Sequence, residues 1–218
     1  MTFDPARCRR LLIFGGSFDP PHRAHVDLPA EAARAVGAGG ILYIPAGQPP
    51  HKPDRVITPA EHRLAMLQLA LAGRDHVAIC RDEIDRPGPS YMVDTLEQLH
   101  ARMPHVRMQL LIGADMAAIF YKWRSPRRII ELADPLVMVR PPLDADAIVD
   151  ALPHDLPADE KQPWRRRVVQ TRTRDISSTR LRQHLAAGDD DDPLVRDALH
   201  PAVLNYIREH NLYRTNPA

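Results

Sequence analysis

Short, continuous apolar runs recur along the chain at residues 11–14, 41–45, 77–80, 108–112, 136–139 and 168–170. Runs of this kind predict buried strands, because alternation with polar residues is needed only where one face of a sheet meets water. Helical patterns separate them, at 23–36, 59–72, 92–102, 126–132, 178–187 and 201–210. Strand and helix in this order predict an α/β chain with right-handed crossovers to a mostly parallel sheet and ligands at the strand C-termini.

Proline marks two exceptions to the pattern. Pro29 interrupts the first helix, where a regular interior position costs about 3 kcal/mol, so a kink or a late helix start is expected there. Residues 141–163 are rich in proline and acidic side chains and read as a surface excursion or a short helical insertion rather than a linker. No internal repeat is present, and 218 residues suit a single domain, 1–218, long enough to bury a sizeable core.

Composition narrows the partners. A formal net charge of +1 argues against a general nucleic-acid binder and against a membrane-surface protein. No apolar stretch approaches the ~20 residues that span a bilayer, and residues 1–10 lack a signal-peptide core. Cys8 and Cys80, far apart and without metal-ligand spacing, give little support to a disulfide or zinc site. A cytoplasmic protein is expected.

The chemistry concentrates after the first strand, in Gly15-Gly16-Ser17-Phe18-Asp19-Pro20-Pro21-His22-Arg23-Ala24-His25. The glycine pair closes the strand where the backbone turns, and the histidines open the next helix. A helix N-terminus presents unpaired amides and the positive end of the dipole, so imidazoles there face the place a phosphate would occupy. The run lacks both G-x-G-x-x-G and a Walker lysine. Two histidines three apart would alone be an incidental helix face. Asp19 is expected to hold the loop by accepting backbone hydrogens.

A second element of the same kind, Ile176-Ser177-Ser178-Thr179-Arg180-Leu181-Arg182, opens a later helix. Hydroxyls there can cap free amides or bond a phosphate oxygen, and an arginine one turn in can place its fork on the same anion. By itself the run reads as a serine cap with solvent-facing arginines. Beside the histidine motif it reads as anion binding.

The first run resembles the signature of the nucleotidylyltransferase superfamily, G-x-F-D-P-x-H-x-G-H, shared in part with class I aminoacyl-tRNA synthetases. The second resembles I-S-S-T-x-I/L-R, the C-terminal signature of bacterial nicotinate mononucleotide adenylyltransferases, whose arginine falls on Arg182 and whose variable position falls on Arg180. Between and after them, in order, stand Ile44-Pro45, Pro49-Pro50-His51-Lys52, Pro89-Ser90-Tyr91, Asp94-Thr95-Leu96, Ile112-Gly113-Ala114-Asp115, Trp123, Tyr206-Ile207 and Leu212-Tyr213-Arg214. These collinear stretches span nearly the whole chain and separate it from the shorter phosphopantetheine adenylyltransferases.

The resemblance implies a Rossmann-like, doubly wound sheet with helices on both faces, and C-terminal helices, about 176–214, packed on the core. It implies transfer of the adenylyl group of ATP to nicotinate mononucleotide, giving nicotinic acid adenine dinucleotide and pyrophosphate in NAD synthesis. His22, His25 and Arg182 would be catalytic: His25 at the α-phosphate, His22 at the triphosphate with its magnesium, Arg182 at the β- and γ-phosphates, supported by Ser177 and Thr179. Gly15, Gly16, Ser17 and Phe18 would complete the ATP site. Mg2+ would arrive with ATP, with no resident metal ligands.

For the mononucleotide, the resemblance points to Ser90 and Tyr91. Lys52 is either a cation for the mononucleotide phosphate or triphosphate, or one more exposed lysine. Asp115 is either a partner of a ribose hydroxyl or a helix cap, and Trp123 either stacks on the pyridine ring or belongs to the core. Three residues depart from the family pattern: Ala24 for the glycine of H-x-G-H, Met92 for a threonine, and Arg124 where an aromatic is common. The last two bear on the choice between nicotinate and nicotinamide and leave it open, with Arg124 able to favour the acid. Other readings are the same chemistry on nicotinamide mononucleotide or another phosphate acceptor, and a non-catalytic nucleotide-binding protein. A homo-oligomer is left open.

Two charged clusters take plainer readings. Trp164-Arg165-Arg166-Arg167, with Arg172 and Arg174, is expected as a solvated edge, and Asp189 to Asp192 as a solvated loop between helices.

Overall fold

The computed structural model describes residues 3–50, 57–172 and 176–214. Six strands, β1 (Arg10–Gly16), β2 (Gly40–Pro45), β3 (Val77–Ile79), β4 (Arg107–Gly113), β5 (Ala133–Val139) and β6 (Val168–Gln170), form one sheet in the order β3-β2-β1-β4-β5-β6. Each adjacent pair is parallel, with Ile13 of β1 set against Leu42 on one side and Leu110 on the other. The expected mostly parallel sheet is thus parallel at every pairing, in a Rossmann-like, doubly wound arrangement.

Between the strands run α1 (Arg23–Val36), α2 (Ala60–Leu71), α3 (Asp82–Asp85), α4 (Met92–Arg102), α5 (Ala114–Ala118), α6 (Pro126–Leu132), α7 (Ala145–Asp150) and α8 (Ala158–Lys161). After β6 come α9 (Ser178–Ala187), α10 (Pro193–Ala198) and α11 (Pro201–Glu209). Successive strand side chains point to opposite faces. Leu11, Ile13, Leu42, Ile44, Leu110 and Ile112 therefore meet apolar residues of α4 and α6 on one side. Leu12, Phe14, Ile41, Tyr43 and Leu111 meet α1, α2 and the C-terminal helices on the other.

Pro29 neither delays nor ends α1, which begins at Arg23 and runs to Val36, where Gly37 takes the left-handed conformation and donates back to Ala33 and Arg34. The missing amide of Pro29 would have bonded the carbonyl of His25. Instead the buried Tyr43 of β2 donates its hydroxyl to that oxygen at 3.1 Å, which answers the cost of the proline from outside the helix.

Residues 141–163 contain α7 and α8, and within them Ile148 and Leu152 are buried in the sheet's core. The arginine cluster is less solvated than expected: Trp164 is fully buried, Arg165 pairs with Asp146, and Arg167 pairs with Asp134 at 2.8 Å while lying over the Trp164 ring. The acidic run is also engaged. Asp190 is buried against Arg208 and Arg214, and Asp192 caps α10 through the amide of Leu194. Arg174 lies outside the described residues. Among the described residues, no helix is long and apolar enough to cross a membrane.

Candidate active site

β1 and β4 are neighbours, yet the chain leaves β1 toward β2 on one side and returns to β4 on the other. This reversal opens a crevice beyond the strand ends. A cleft of about 910 Å³ occupies it. Gly15, Gly16, Ser17, Phe18, His22, His25, Ser177, Thr179 and Arg182 line it from the part built by the end of β1, the start of α1 and the start of α9, and Ser90, Tyr91, Asp115 and Trp123 from the part built around α4 and α5. Of the site residues expected from sequence, Lys52 is not placed, because it lies outside the described residues.

The glycine pair sits tightly against side chains that would have to give way to a Cβ. A methyl on Gly15 would lie 2.6 Å from the Cε of Met92, and one on Gly16 would lie 3.1 Å from the Phe18 ring. The chain then turns through Phe18 at φ 49° and enters α1 with His22 extended at its cap. The His22 and His25 rings stack at 3.7 Å, 18° from parallel. The amide of His22 donates to Nδ1 of His25 at 3.3 Å, so the proton of a neutral His25 belongs on Nε2. Burial lowers His22 to a pKa of about 4, which keeps the ring uncharged at neutral pH. Its Nδ1 is buried without a hydrogen-bond partner among the described residues.

Among the described residues, no backbone amide bonds the Asp19 carboxylate, against the expectation that it holds the loop in that way. Its carboxylate, 4% exposed, accepts from the hydroxyl of Tyr213 at 2.8 Å, and its carbonyl accepts from Nη1 of Arg182 at 2.5 Å. Arg182 also donates to Oγ1 of Thr179 at 2.9 Å. Ser177 occupies the cap position of α9 but spends no side-chain bond on capping, whereas Ser178 donates to the carbonyl of Pro20 at 3.2 Å. Two helix N-termini, those of α1 and α9, are thereby joined at one loop. Their amides and the Arg182 guanidinium make this part of the cleft suited to an extended anion.

At the other part, the Ser90 hydroxyl accepts from the amides of Gly47 and Gln48 at 2.9 and 3.1 Å. Arg124 lies over the Tyr91 ring at 4.7 Å and faces Asp94 at 3.5 Å. Trp123 lines the cleft, and it packs, partly buried, on Phe120 with ring centres 5.4 Å apart. Asp115 is not the cap of α5, a position held by Gly113; its carboxylate folds back over that glycine. Among the described residues no group of three or more His, Cys, Asp or Glu side chains is arranged to hold a metal.

Two residues escaped the sequence reading. Glu83 is buried in the cleft wall, where burial raises its pKa and Thr95 donates to it at 2.8 Å. Arg63 is 1% exposed and donates to the carbonyls of Thr58, Ser17 and Gly47. Its only linear signal is an arginine set beside Leu64, Met66 and Leu67.

A family model described as cytidylyltransferase-like matches residues 13–184, from β1 into α9. The chain is 40% identical over 202 residues to a protein of Roseiflexus sp. (strain RS-1), covering 93% of this chain and 96% of that one. It is 38% identical over 206 residues to a protein of Thermomicrobium roseum, covering 94% and 92%. Both are named "Probable nicotinate-nucleotide adenylyltransferase". In fold the chain is similar to Plasmodium falciparum nicotinic acid mononucleotide adenylyltransferase complexed with NaAD, with a TM-score of 0.69, 17% identity, and 94% of this chain and 97% of that one covered.

Proposed function

The chain belongs to the cytidylyltransferase-like family, in which its relatives are named nicotinate-nucleotide adenylyltransferases, and on that premise we propose that it transfers the adenylyl group of ATP to nicotinate mononucleotide. The products are nicotinic acid adenine dinucleotide and pyrophosphate. The observation that supports this reading best is the meeting of the α1 and α9 N-termini around the loop of Ser17 and Asp19, in one cleft with Tyr91 and Trp123.

The mononucleotide's phosphate is already anionic at neutral pH, so it needs no general base. One of its oxygens attacks the α-phosphorus as the bond to the departing pyrophosphate breaks, and no proton has to move. The protein's work is then to align the two phosphates and to offset charge. In this reading His25 presents Nε2–H to the α-phosphate, and the uncharged His22 turns toward the triphosphate. Arg182, with Ser177 and Thr179, takes up charge on the leaving β- and γ-phosphates. Gly15, Gly16, Ser17 and Phe18 shape the loop against ATP. Ser90, Tyr91, Lys52, Asp115 and Trp123 serve the mononucleotide. Magnesium enters as part of the ATP substrate, keeping several of its waters, and supplies charge neutralisation.

The test is magnesium-dependent pyrophosphate release from ATP with nicotinate mononucleotide, beside nicotinamide mononucleotide and phosphopantetheine at matched concentrations. Strong preference for nicotinate mononucleotide is the expected result. Release with another acceptor reassigns the substrate, and silence with all three leaves a nucleotide-binding protein.

A further inference from the structure

Arg63 lies behind the cleft rather than in its wall, yet its guanidinium reaches three separate segments. Nε donates to the carbonyl of Thr58 at 2.8 Å, Nη1 to that of Ser17 at 2.8 Å, and Nη2 to that of Gly47 at 3.1 Å. A buried cation carries a desolvation penalty of several kcal/mol, so an apolar side chain would serve stability alone at least as well. What an apolar side chain would lose is a fixed geometry.

The contacts continue on the far side. The carbonyl of Gly47 is on Arg63, its amide is on the Ser90 hydroxyl, and the amide of Ser90 returns to the carbonyl of Gln48 at 2.9 Å. Glu83 also bonds the Ser90 side chain. This loop has no slack, since a methyl on Gly47 would lie 2.1 Å from the carbonyl oxygen of Glu83. At the other end, fixing the carbonyl of Ser17 toward Arg63 turns the amide of Phe18 the opposite way, because a trans peptide opposes the two groups.

We propose that Arg63 is a positioning residue that couples the two parts of the cleft, setting the phosphate loop at Ser17 and the Gly47–Ser90 loop as one unit. The proposal rests on the reading that these parts hold ATP and the mononucleotide. An order imposed by nucleotide on Ser17 passes through the guanidinium to Gly47 and Ser90, so one substrate prepares the site of the other.

Hydrogen exchange on the wild-type chain, with a non-hydrolysable ATP analogue as the only addition, reads this directly. The expected result is exchange about fivefold slower at the amides of Gly47 and Gln48, a size typical of coupled sites. Arg63→Lys keeps the charge but not the three-way fork. It is expected to bind the analogue more weakly, to abolish the response at 47–48, and to raise KM for both substrates while its thermal unfolding stays near that of wild type. Unchanged exchange at 47–48 in the wild type overturns the proposal, as does a full response in Arg63→Lys. A purely structural role would lower the melting temperature and leave both KM values in place. Because the nucleotide analogue is the probe, an error in the acceptor shows instead as absent pyrophosphate release with nicotinate mononucleotide.

Discussion

Tyr43 donates its hydroxyl to the backbone carbonyl of His25 at 3.1 Å, and that carbonyl is the one Pro29 leaves without an amide. The contact joins the second strand to the first turn of the helix that presents both histidines. Burial raises the tyrosine's pKa, so it remains a donor throughout the working pH range. Tyr43→Phe removes the donor and strands a part-buried carbonyl. It is expected to cost about 1–3 kcal/mol in urea unfolding, with kcat falling further than the small change in shape would explain.

His25→Ala and Arg182→Ala are each expected to reduce kcat by about two orders of magnitude, since in the proposed roles each removes a donor aimed at charge that develops during transfer. Melting temperatures within a few degrees of wild type would show that the loss lies in the chemistry. Near-normal turnover in both variants would overturn the assigned roles.

His22 gives a pH signature of known sign. Its ordinary pKa is 6.5 and burial lowers it to about 4, so between those values the unfolded chain binds a proton that the folded chain refuses. This contribution to stability is complete above pH 6.5 and is lost as pH falls toward 4, by about 3 kcal/mol in all. His22→Asn should flatten that part of the profile, measured as the difference between wild-type and variant unfolding free energies at pH 7, 5.5 and 4.5.

Arg124 faces Asp94 at 3.5 Å and lies over Tyr91 in the wall of the cleft. A cation placed there favours a pyridine carboxylate over a carboxamide. Arg124→Ala is therefore expected to reduce the preference for nicotinate over nicotinamide mononucleotide by about tenfold in kcat/KM, the value of one partly exposed charge contact. An unchanged ratio would remove Arg124 from the discrimination.

The elements that were legible in the chain are those long enough to show a period. α1, α4, α6 and α9 coincide with their expected ranges, and each of the six apolar runs falls on a strand, with Cys80 lying just past the end of β3. The short helices α3, α5, α7, α8 and α10, of four to six residues, complete too few turns to register a repeat. Arg63 could not be identified as buried because a charge in an apolar stretch ordinarily marks the solvent face. The partner of Asp19 was equally hidden, since Tyr213 is 194 residues away.

By itself, the sequence determined the α/β order, the two helix starts proposed to bind the phosphates and the family to which they belong. Those features are written in hydrophobic period and in the spacing of neighbouring residues, which are local. The tertiary structure alone decided that the chain reverses between β1 and β4, bringing the Ser17 loop, the start of α9 and the Gly47–Ser90 loop to one cleft. It also decided that His22 is neutral, that Arg63 is a buried brace and that Tyr43 answers for Pro29. Desolvation and hydrogen bonding depend on which atoms surround a group in space, and no linear pattern specifies that.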